Sequence, residues 1–369
     1  MPISARVRAD ACPGVFATHD AADGPLARVR LPGGTVSAET LRALADCAEE
    51  FGDGDVHLTS RGNVQLRAIT RAGLPERLAE AGLLPSPSHE RVRNILASPL
   101  SGIRGGLADV HGLAAQLDRA ICARPELAEL PGRFLFAFDD GRGDIAREGA
   151  DVCWRAISAQ HGTMLLAGDD TGVRVPRAEA VDALVAVAGK FLEARGTAWR
   201  IRELEHPETL VDGPRETRRE WPASTEIPAG LIEQDGGGYA VGVAPPFGQL
   251  KAGQLREFAA LAPHAVVTPW RTLVLLDVDP AAPIGLPTEP SGISACIGRP
   301  GCAKSRADVR ADARRVTTGK AHFAGCERRC GKPAGPHADV VAEHGGYRVD
   351  GVWVALEELA GALARKGNQ

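Results

Sequence analysis

The sequence predicts an α+β protein that contains two copies of a strand–helix–strand unit. Residues 26–69 and 239–278 each follow this order, and their helices share the motif A-x-x-L-R-x-x-A, starting at Ala38 and Ala252. A longer α/β stretch follows each copy, and four cysteines cluster in the second of these stretches. The repeat indicates a duplicated half-domain whose copies pair to complete one sheet. Chance similarity of short units is the alternative.

The composition is that of a globular protein with a small net charge. Of the 369 residues, 44% are hydrophobic and 24% are charged. A total of 43 Lys+Arg against 47 Asp+Glu gives a net charge of −4, which disfavours nucleic acid as the main partner. No apolar run reaches the roughly 18 residues of a membrane span, and the N-terminus lacks the apolar region of a signal peptide. The expected location is the cytoplasm.

The chain divides into five predicted segments. The first copy is followed by a larger α/β domain, a linker rich in charge and proline, the second copy and a second α/β domain. In this order the segments are residues 1–74, 75–212, 213–228, 229–285 and 286–369. Within the two copies, Arg61 aligns with Arg271 in the strand that follows the helix.

The larger α/β segments contain recognisable strands and helices. In the first, the runs 132–139, 151–157 and 162–167 are typical of strands. Residues 177–194 have the apolar spacing of an amphipathic helix, and the second segment ends in a predicted helix near 354–366.

Two segments resemble nucleotide-binding motifs but lack the structural context that such motifs require. Residues 141–146 imitate G-x-G-x-x-A, but the next strand follows without the helix that such a motif opens. Residues 325–332 resemble a P-loop, but Pro333 stands where Ser or Thr is required. We therefore expect no nicotinamide or ATP site, and electrons have to come from an external donor.

Four of the eight cysteines are scattered along the chain. Cys47, Cys122 and Cys153 lie in helix or strand patterns, where a cysteine is usually a small packing residue. Cys12 belongs to a Cys-Pro-Gly turn, and its role is left open.

The other four cysteines form two close pairs, Cys296-x5-Cys302 and Cys326-x3-Cys330, in glycine-rich loops. Four thiolates in loops that allow close backbone approach are typical of an iron–sulfur cluster. Zinc is an alternative, although zinc ribbons favour C-x2-C pairs. A purely structural role is the third interpretation.

Several ordered motifs resemble the siroheme-dependent sulfite and nitrite reductases. They are the T-x-R…Q strand at 59–65, the R-N segment at Arg93-Asn94, the sequence HFAGC at 322–326 and the cysteine loops. The resemblance implies the nitrite/sulfite reductase fold, a pseudo-twofold repeat of a ferredoxin-like half-domain plus a larger α/β domain. It also implies a 4Fe-4S cluster in the second copy, held by the four clustered cysteines.

Within this superfamily the chain is most similar to the precorrin-3B synthase branch. It has an R-x-x-x-C-P-G segment from Arg8, and Arg133-Phe134-Leu135 replaces the K-F-K strand that helps the reductases hold siroheme. This likeness implies a monooxygenase of aerobic cobalamin biosynthesis, which converts precorrin-3A to precorrin-3B by C-20 hydroxylation and γ-lactone formation. The alternatives are a ferredoxin-dependent sulfite or nitrite reductase with siroheme and 4Fe-4S, and a non-enzymatic iron–sulfur or zinc module.

A tetrapyrrole fringed with carboxylates needs cationic or N–H partners, and each charge-assisted bond contributes about 1.5–3 kcal/mol. A solvated surface is the alternative role for any single arginine. The candidate binding residues are Arg61, Asn63, Gln65, Arg67, Arg91, Arg93, Asn94, Arg133, Arg299 and Lys304, with Arg104 beside them. No catalytic residue can be named, and His57 and His322 are expected to be structural hydrogen bonders.

The implied partners are precorrin-3A, O2 and an electron donor such as a reductase or a ferredoxin, with neither nucleic acid nor membrane. The sequence leaves open whether the cluster, a second non-haem iron or the substrate itself activates oxygen. We expect the cluster to be buried beneath the tetrapyrrole cleft.

Overall fold

The computed structural model describes residues 10, 12–221, 224, 227–285, 287, 292–316, 319–333 and 335–366. Arg8, with which the predicted R-x-x-x-C-P-G segment begins, lies outside these residues. Strands and helices are numbered in chain order. The helices are α1 (Ala38–Phe51), α2 (Leu74–Glu80), α3 (His111–Cys122), α4 (Ala180–Ala194), α5 (Ala252–Leu261), α6 (Val309–Ala313) and α7 (Leu359–Lys366).

The two half-domains form two sheets that exchange strands. The first sheet has the order β1 (His19–Ala21), β2 (Gly24–Val29), β5 (Val64–Leu66), β4 (Asp55–Leu58) and β13 (Gln249–Lys251). The second has the order β11 (Gly230–Glu233), β12 (Tyr239–Val243), β15 (Leu273–Leu276), β14 (His264–Val267) and β3 (Thr35–Ser37). Since β13 pairs with β4 and β3 pairs with β14, each copy completes the sheet of the other. The copies thus complete two sheets instead of the single predicted one.

The helices α1 and α5 close the core between these sheets. Ser37 caps α1 by accepting a hydrogen bond from the backbone N–H of Thr40 at 3.2 Å. The buried stripe of α1, which includes Leu41, Leu44 and the fully buried Cys47, belongs to one apolar core with residues of both copies. Because this core is shared, the two half-domains are one packed unit.

The structure shifts the alignment of the repeat by one residue. The β4–β5 and β14–β15 hairpins close on equivalent residue pairs, which aligns Arg61 with Trp270 and Gly62 with Arg271. Gly62 and Arg271 share a left-handed backbone, with φ of 60° and 59°. The predicted pairing of Arg61 with Arg271 is therefore wrong. The left-handed position of this hairpin is a glycine in one copy and an arginine in the other.

The larger domains also repeat one topology. The first sheet has the order β10 (Asp169–Pro176), β9 (His161–Leu166), β8 (Val152–Ala156), β7 (Phe136–Asp139) and β6 (Ile95–Ala97). The second has the order β16 (Ile293–Ala295), β17 (Ala321–Ala324), β18 (Ala338–Glu343), β19 (Gly346–Val349) and β20 (Val352–Ala355). In both sheets three parallel strands precede two antiparallel ones. The duplication therefore extends beyond the half-domains.

Aromatic packing fills the core of the first α/β domain. The ring of Phe134 lies 4.9 Å from that of Phe136 and 5.0 Å from that of Phe191 on α4. The first part of the predicted linker lies along β10, where Trp221 Nε1 donates to Asp170 Oδ2 at 3.2 Å. Among the described helices, none has the length and apolarity to cross a bilayer.

Candidate functional site

One face of the first half-domain sheet carries a row of polar side chains. Successive residues of a strand point to opposite faces, and one face of this sheet is buried in the apolar core with α1 and α5. On the other face, Arg28 Nη2 donates to Gln65 Oε1 at 2.7 Å across β2 and β5. The residues that lie opposite one another across β2, β5, β4 and β13, here called the polar row, are Arg28, Gln65, His57 and Gln249.

The polar row connects the N-terminal segment with the first clustered cysteine. At one end, Arg28 Nη1 donates to the Sγ atom of Cys12 at 3.7 Å. At the other end, Arg310 Nη1 donates to Gln249 Oε1, and Arg310 Nε donates to the carbonyl oxygen of Cys296 at 3.3 Å. The row therefore joins the two regions in which the sequence predicted a site.

A set of arginines surrounds the Cys12 end of the row. Arg30 is only 1% exposed, and its Nη2 donates to Cys12 Sγ at 3.6 Å. Burial, together with the charges of Arg28 and Arg61, lowers the pKa of Arg30 to about 10. Burial and the charge of Arg200 lower the pKa of Arg61 to about 10. The interacting cations, here called the arginine group, are Arg28, Arg30, Arg61, Arg133 and Arg200.

The arginine group is not fully neutralised by the protein. Within the described part of the chain, neither Arg28 Nε nor Arg30 Nη1 has a hydrogen-bond partner. The Cys12 thiol and the Glu90 carboxylate are the groups that oppose the pKa shift of Arg30. A buried cation is costly unless it is paired. This excess of positive charge suits a ligand that carries several carboxylates, because a guanidinium pairs with a carboxylate in a planar fork.

Three predicted binding residues make their contacts within the protein. Asn63 accepts a hydrogen bond from the backbone N–H of Leu31 at 2.8 Å and donates to Asn94 Oδ1 at 3.3 Å. Arg93 forms a two-bond ion pair with Asp118, at 2.6 and 2.8 Å. Since these contacts engage the polar atoms of Asn63, Asn94 and Arg93, we do not include these residues among the carboxylate-binding residues proposed below.

Two further predicted residues lie at the rim of the arginine group. Arg133 is 52% exposed at its side chain, and its guanidinium lies 5.0 Å from the ring centre of Trp199. Its Nε is 3.8 Å from an Asp10 carboxylate oxygen. Arg91 donates to the carbonyl oxygen of Asp10 at 3.3 Å. The segment that carries Cys12 is thus held at this rim.

The remaining predicted cations belong to the side of the clustered cysteines. Arg67 forms a two-bond ion pair with Asp23, both bonds at 2.8 Å, and donates to the carbonyl oxygen of Gly301 at 3.0 Å. Arg299 donates to a carbonyl of its own loop at 2.8 Å, and Lys304 is exposed. The structure therefore separates the predicted residues into an arginine side and a cysteine side.

The four clustered cysteines come together at the ends of two parallel strands. Cys296 directly follows β16, and Cys326 follows β17 after one intervening glycine. Burial is the main cause that raises the pKa of Cys296 and of Cys330, and in each case two other thiols of the set raise it further. The Sγ of Cys296 accepts a hydrogen bond from a loop N–H, that of Gly325, at 3.2 Å. Thiols that affect one another electrostatically, with a backbone N–H aimed at one sulfur, fit an iron–sulfur cluster.

The two histidines beside these motifs are buried and neutral. Burial and the charges of Arg310 and Arg67 lower the pKa of His57 to about 3. Within the described residues, neither ring nitrogen of His57 has a hydrogen-bond partner, so its expected role as a hydrogen bonder is not seen. Burial lowers the pKa of His322 to about 4, and its Nδ1 lies 2.9 Å from the Ser294 hydroxyl.

Three aspartates lie close together at the end of β7 and just after it in the first α/β domain. One carboxylate oxygen each of Asp139, Asp140 and Asp144 lies within 4.8 Å of the others. Asp139 accepts four hydrogen bonds from the backbone of the following turn, and Arg142 binds Asp140. The carboxylates therefore stabilise this turn, and they give no support to a second iron.

Sequence reasoning missed Arg28 and Arg30, which form the centre of the arginine group. A signal for them was available, because the R-V-R pattern at residues 28–30, where β2 ends, is the alternation that places both arginines on one side of an extended segment. Arg200 and Gln249 carried no comparable signal. They reach the site only through the folding of distant segments.

Comparison with known proteins agrees with this architecture. The family model of the nitrite/sulfite reductase ferredoxin-like half domain matches residues 19–83 and 232–282, which are the two copies. A precorrin-3B synthase from Sinorhizobium sp. is 28% identical over 93% of this chain and 83% of its own length. The two copies therefore match this half-domain family, and the chain as a whole is similar to proteins of the nitrite/sulfite reductase type.

Other relatives are similar over shorter parts of their length. Sulfite reductase [ferredoxin] 2 from Mycolicibacterium paratuberculosis is 28% identical over 77% of this chain, but the match spans only 60% of that protein. The solved structure of Mycobacterium tuberculosis NirA protein has a TM-score of 0.73, with 24% identity over 91% of this chain and 79% of that one. This likeness confirms the predicted nitrite/sulfite reductase-like α+β fold. The reductases among these relatives make the superfamily one of oxidoreductases.

Proposed function

We propose that this chain is an oxygen-dependent monooxygenase of the precorrin-3B synthase type, which converts precorrin-3A to precorrin-3B in aerobic cobalamin biosynthesis. One observation supports this proposal above all. The polar row connects the four clustered thiols with the arginine group, whose positive charge the protein does not fully neutralise. A carboxylate-fringed ring fits the arginines, and a redox cluster fits the thiols. Eight cysteines without a disulfide agree with a cytoplasmic location.

In this proposal the arginine group binds and orients the substrate. Arg28, Arg30 and Arg61 would pair with acetate and propionate groups, while Arg133 and Arg91 would receive groups at the rim. Each such pair contributes about 1.5–3 kcal/mol, so several together fix the ring in one orientation. Orientation matters because hydroxylation at C-20 requires one edge of the ring to meet oxygen, one atom of which enters the product while the other leaves as water.

Cys296, Cys302, Cys326 and Cys330 would hold a 4Fe-4S cluster, which supplies one-electron transfer when bound. The donor of electrons would be an external reductase or ferredoxin. A second, non-haem iron remains a prediction.

Two observations favour this function over a siroheme reductase. Leu135, which stands at the second lysine of the reductase K-F-K strand, is 2% exposed within an apolar cluster, so one cation for a permanent haem is missing. The likeness also covers 83% of the precorrin-3B synthase but only 60% of the sulfite reductase. A ferredoxin-dependent sulfite or nitrite reductase with siroheme is the alternative.

Anaerobic purification separates these functions. We expect protein-bound iron and sulfide without siroheme absorption, and O2-dependent conversion of precorrin-3A to a hydroxylated lactone, detected by mass spectrometry. Stoichiometric siroheme would overturn the proposal in favour of the reductase. A cluster without binding of any carboxylated tetrapyrrole would indicate a simple iron–sulfur module.

A further inference from the structure

We propose that Arg67, Arg271 and Arg310 form a carbonyl clamp that positions the cysteine loops and places positive charge beside the cluster. The inference rests on the proposed function only in that the four cysteines hold a cluster. It assigns these arginines a positioning role, independent of the tetrapyrrole.

Each arginine of the clamp donates to a carbonyl oxygen at or next to a clustered cysteine. Arg67 Nη2 donates to Gly301, which precedes Cys302, at 3.0 Å. Arg271 Nη2 donates to Gly331, which follows Cys330, at 3.0 Å. The third contact is that of Arg310 Nε with the carbonyl of Cys296, at 3.3 Å. Three of the four ligand positions are therefore tied to guanidinium groups.

The three arginines come from separate parts of the fold. Arg67 follows β5 of the first copy, Arg271 lies in the β14–β15 hairpin of the second, and Arg310 belongs to α6. Asp23 accepts a hydrogen bond from Arg67, and Gln249 accepts one from Arg310. The clamp thus connects the cysteine loops to both half-domains.

The loops approach the clamp too closely to carry side chains at the contact points. A Cβ atom added to Gly331 would lie 2.3 Å from Arg271 Nη2. One added to Gly301 would lie 2.8 Å from a carboxylate oxygen of Asp23. Two of the three contacts thus depend on glycine, and the sequence has glycine at both places.

The clamp concentrates positive charge where a cluster would bring negative charge. Its three guanidinium groups are hydrogen-bonded to carbonyl oxygens of the same cysteine loops. Adjacent cations repel one another until an anionic thiolate-bound cluster neutralises them. The clamp should therefore favour the loaded state and, among loaded states, the more negative, reduced one.

The test compares Arg271→Gln and Arg271→Lys with the wild-type holoprotein. Two quantities are measured anaerobically: the rate at which a chelator removes iron, and the cluster midpoint potential in an EPR-monitored titration. For Arg271→Gln we expect about tenfold faster loss, as for one charge-assisted hydrogen bond, and a midpoint shifted to more negative potential. Arg271→Lys should restore the midpoint but only part of the retention, because it keeps the charge and loses the planar fork.

Arg256→Gln is the matched control, since Arg256 pairs with Asp46 and Glu49 at the surface of the same half-domain. It should change neither quantity. Wild-type loss rate and midpoint in a folded Arg271→Gln protein would overturn the clamp. If that variant does not fold, Arg67→Lys is measured instead, and its rate of iron loss decides: loss faster than in the wild type supports the clamp, and an unchanged rate overturns it. A wild-type protein without iron and sulfide would instead refute the proposed cluster itself.

Discussion

The outer faces of the two half-domain sheets have the same backbone and opposite chemistry. On the first sheet the strand register brings together Arg28, Gln65, His57 and Gln249. At the equivalent positions of the second sheet stand Gly242, Val274, Val266 and Thr35. There Val266 and Val274 are buried in an apolar cluster with Ile103 from the loop after β6. One of the two equivalent faces carries polar side chains, and the other is filled by apolar packing.

The two larger α/β domains also have equivalent backbones with different side chains at matching positions. Ser98 follows β6 at the position where Cys296 follows β16, and Gly141 corresponds to Cys326. The first domain satisfies its loop internally, since the Ser98 hydroxyl donates to Asp144 at 2.6 Å. The second presents thiols for an added group. The two copies thus share one backbone frame and differ in the side chains that stand at equivalent positions.

The largest expected effect is the loss of the cluster from the second domain. Cys326→Ala removes one of four ligands, so iron and sulfide should be absent from the anaerobically purified protein. Cys153→Ala, in β8 of the first domain, is the matched control and should retain both. Full iron and sulfide in Cys326→Ala would remove this cysteine from the ligand set.

Exchanging one equivalent pair tests the two sheet faces directly. Val266→His places a polar ring in the apolar cluster and should lower the free energy of unfolding by about 2–3 kcal/mol. His57→Val should cost less than about 1 kcal/mol at pH 7, because His57 has no hydrogen-bond partner to lose among the described residues. Urea unfolding measures both, and equal losses would contradict the difference between the faces.

The same His57→Val variant has a pH signature. The pKa of His57 is about 3 in the fold, below its ordinary 6.5, so the unfolded chain takes up the proton first. The contribution of neutral His57 to the free energy of unfolding is fully present above pH 6.5 and decreases as the pH falls below that value. The variant should therefore lose less stability than the wild type on acidification below pH 6.5.

Arg30→Leu tests the arginine group on the polar face. It removes a buried guanidinium, so affinity for uroporphyrin, a stable ring with acetate and propionate groups, should fall about 10–100-fold. Fluorescence titration measures the affinity, and Arg256→Gln provides the charge-matched control. Unchanged affinity in Arg30→Leu would place the carboxylate site elsewhere.

A further effect concerns the aspartates of the first domain. Burial, and next the Asp139 charge, raises the pKa of Asp144 to about 7. Because the folded state holds this proton more tightly, stability is lost as the pH rises from about 4 to about 7. Asp144→Asn should stabilise the protein by about 1–3 kcal/mol at pH 8 and leave it unchanged at pH 4. Equal thermal shifts at both pH values would show that the carboxyl ionises normally.

Much of the architecture could be predicted because its signals are local. Strand alternation, helix periodicity and the spacing of Cys296, Cys302, Cys326 and Cys330 are properties of short segments. The strand exchange was not predictable in this way, since β3 and β13 are each three residues long and pair across the duplication. The internal pairing of Arg93 with Asp118 was not predictable either. In the sequence, an arginine of a family motif looks the same whether it binds a ligand or a neighbouring helix.

The sequence by itself determined the duplicated α+β frame, the likeness to the nitrite/sulfite reductases and the four cysteine ligands proposed for the cluster, because each follows from residue type and short-range spacing. Only the tertiary structure decided which arginines meet. It brought Arg28, Arg30 and Arg200 around Arg61, and it set Arg67, Arg271 and Arg310 against the cysteine loops. The physical reason is that charge density and burial belong to groups assembled from distant segments, and no single segment carries them.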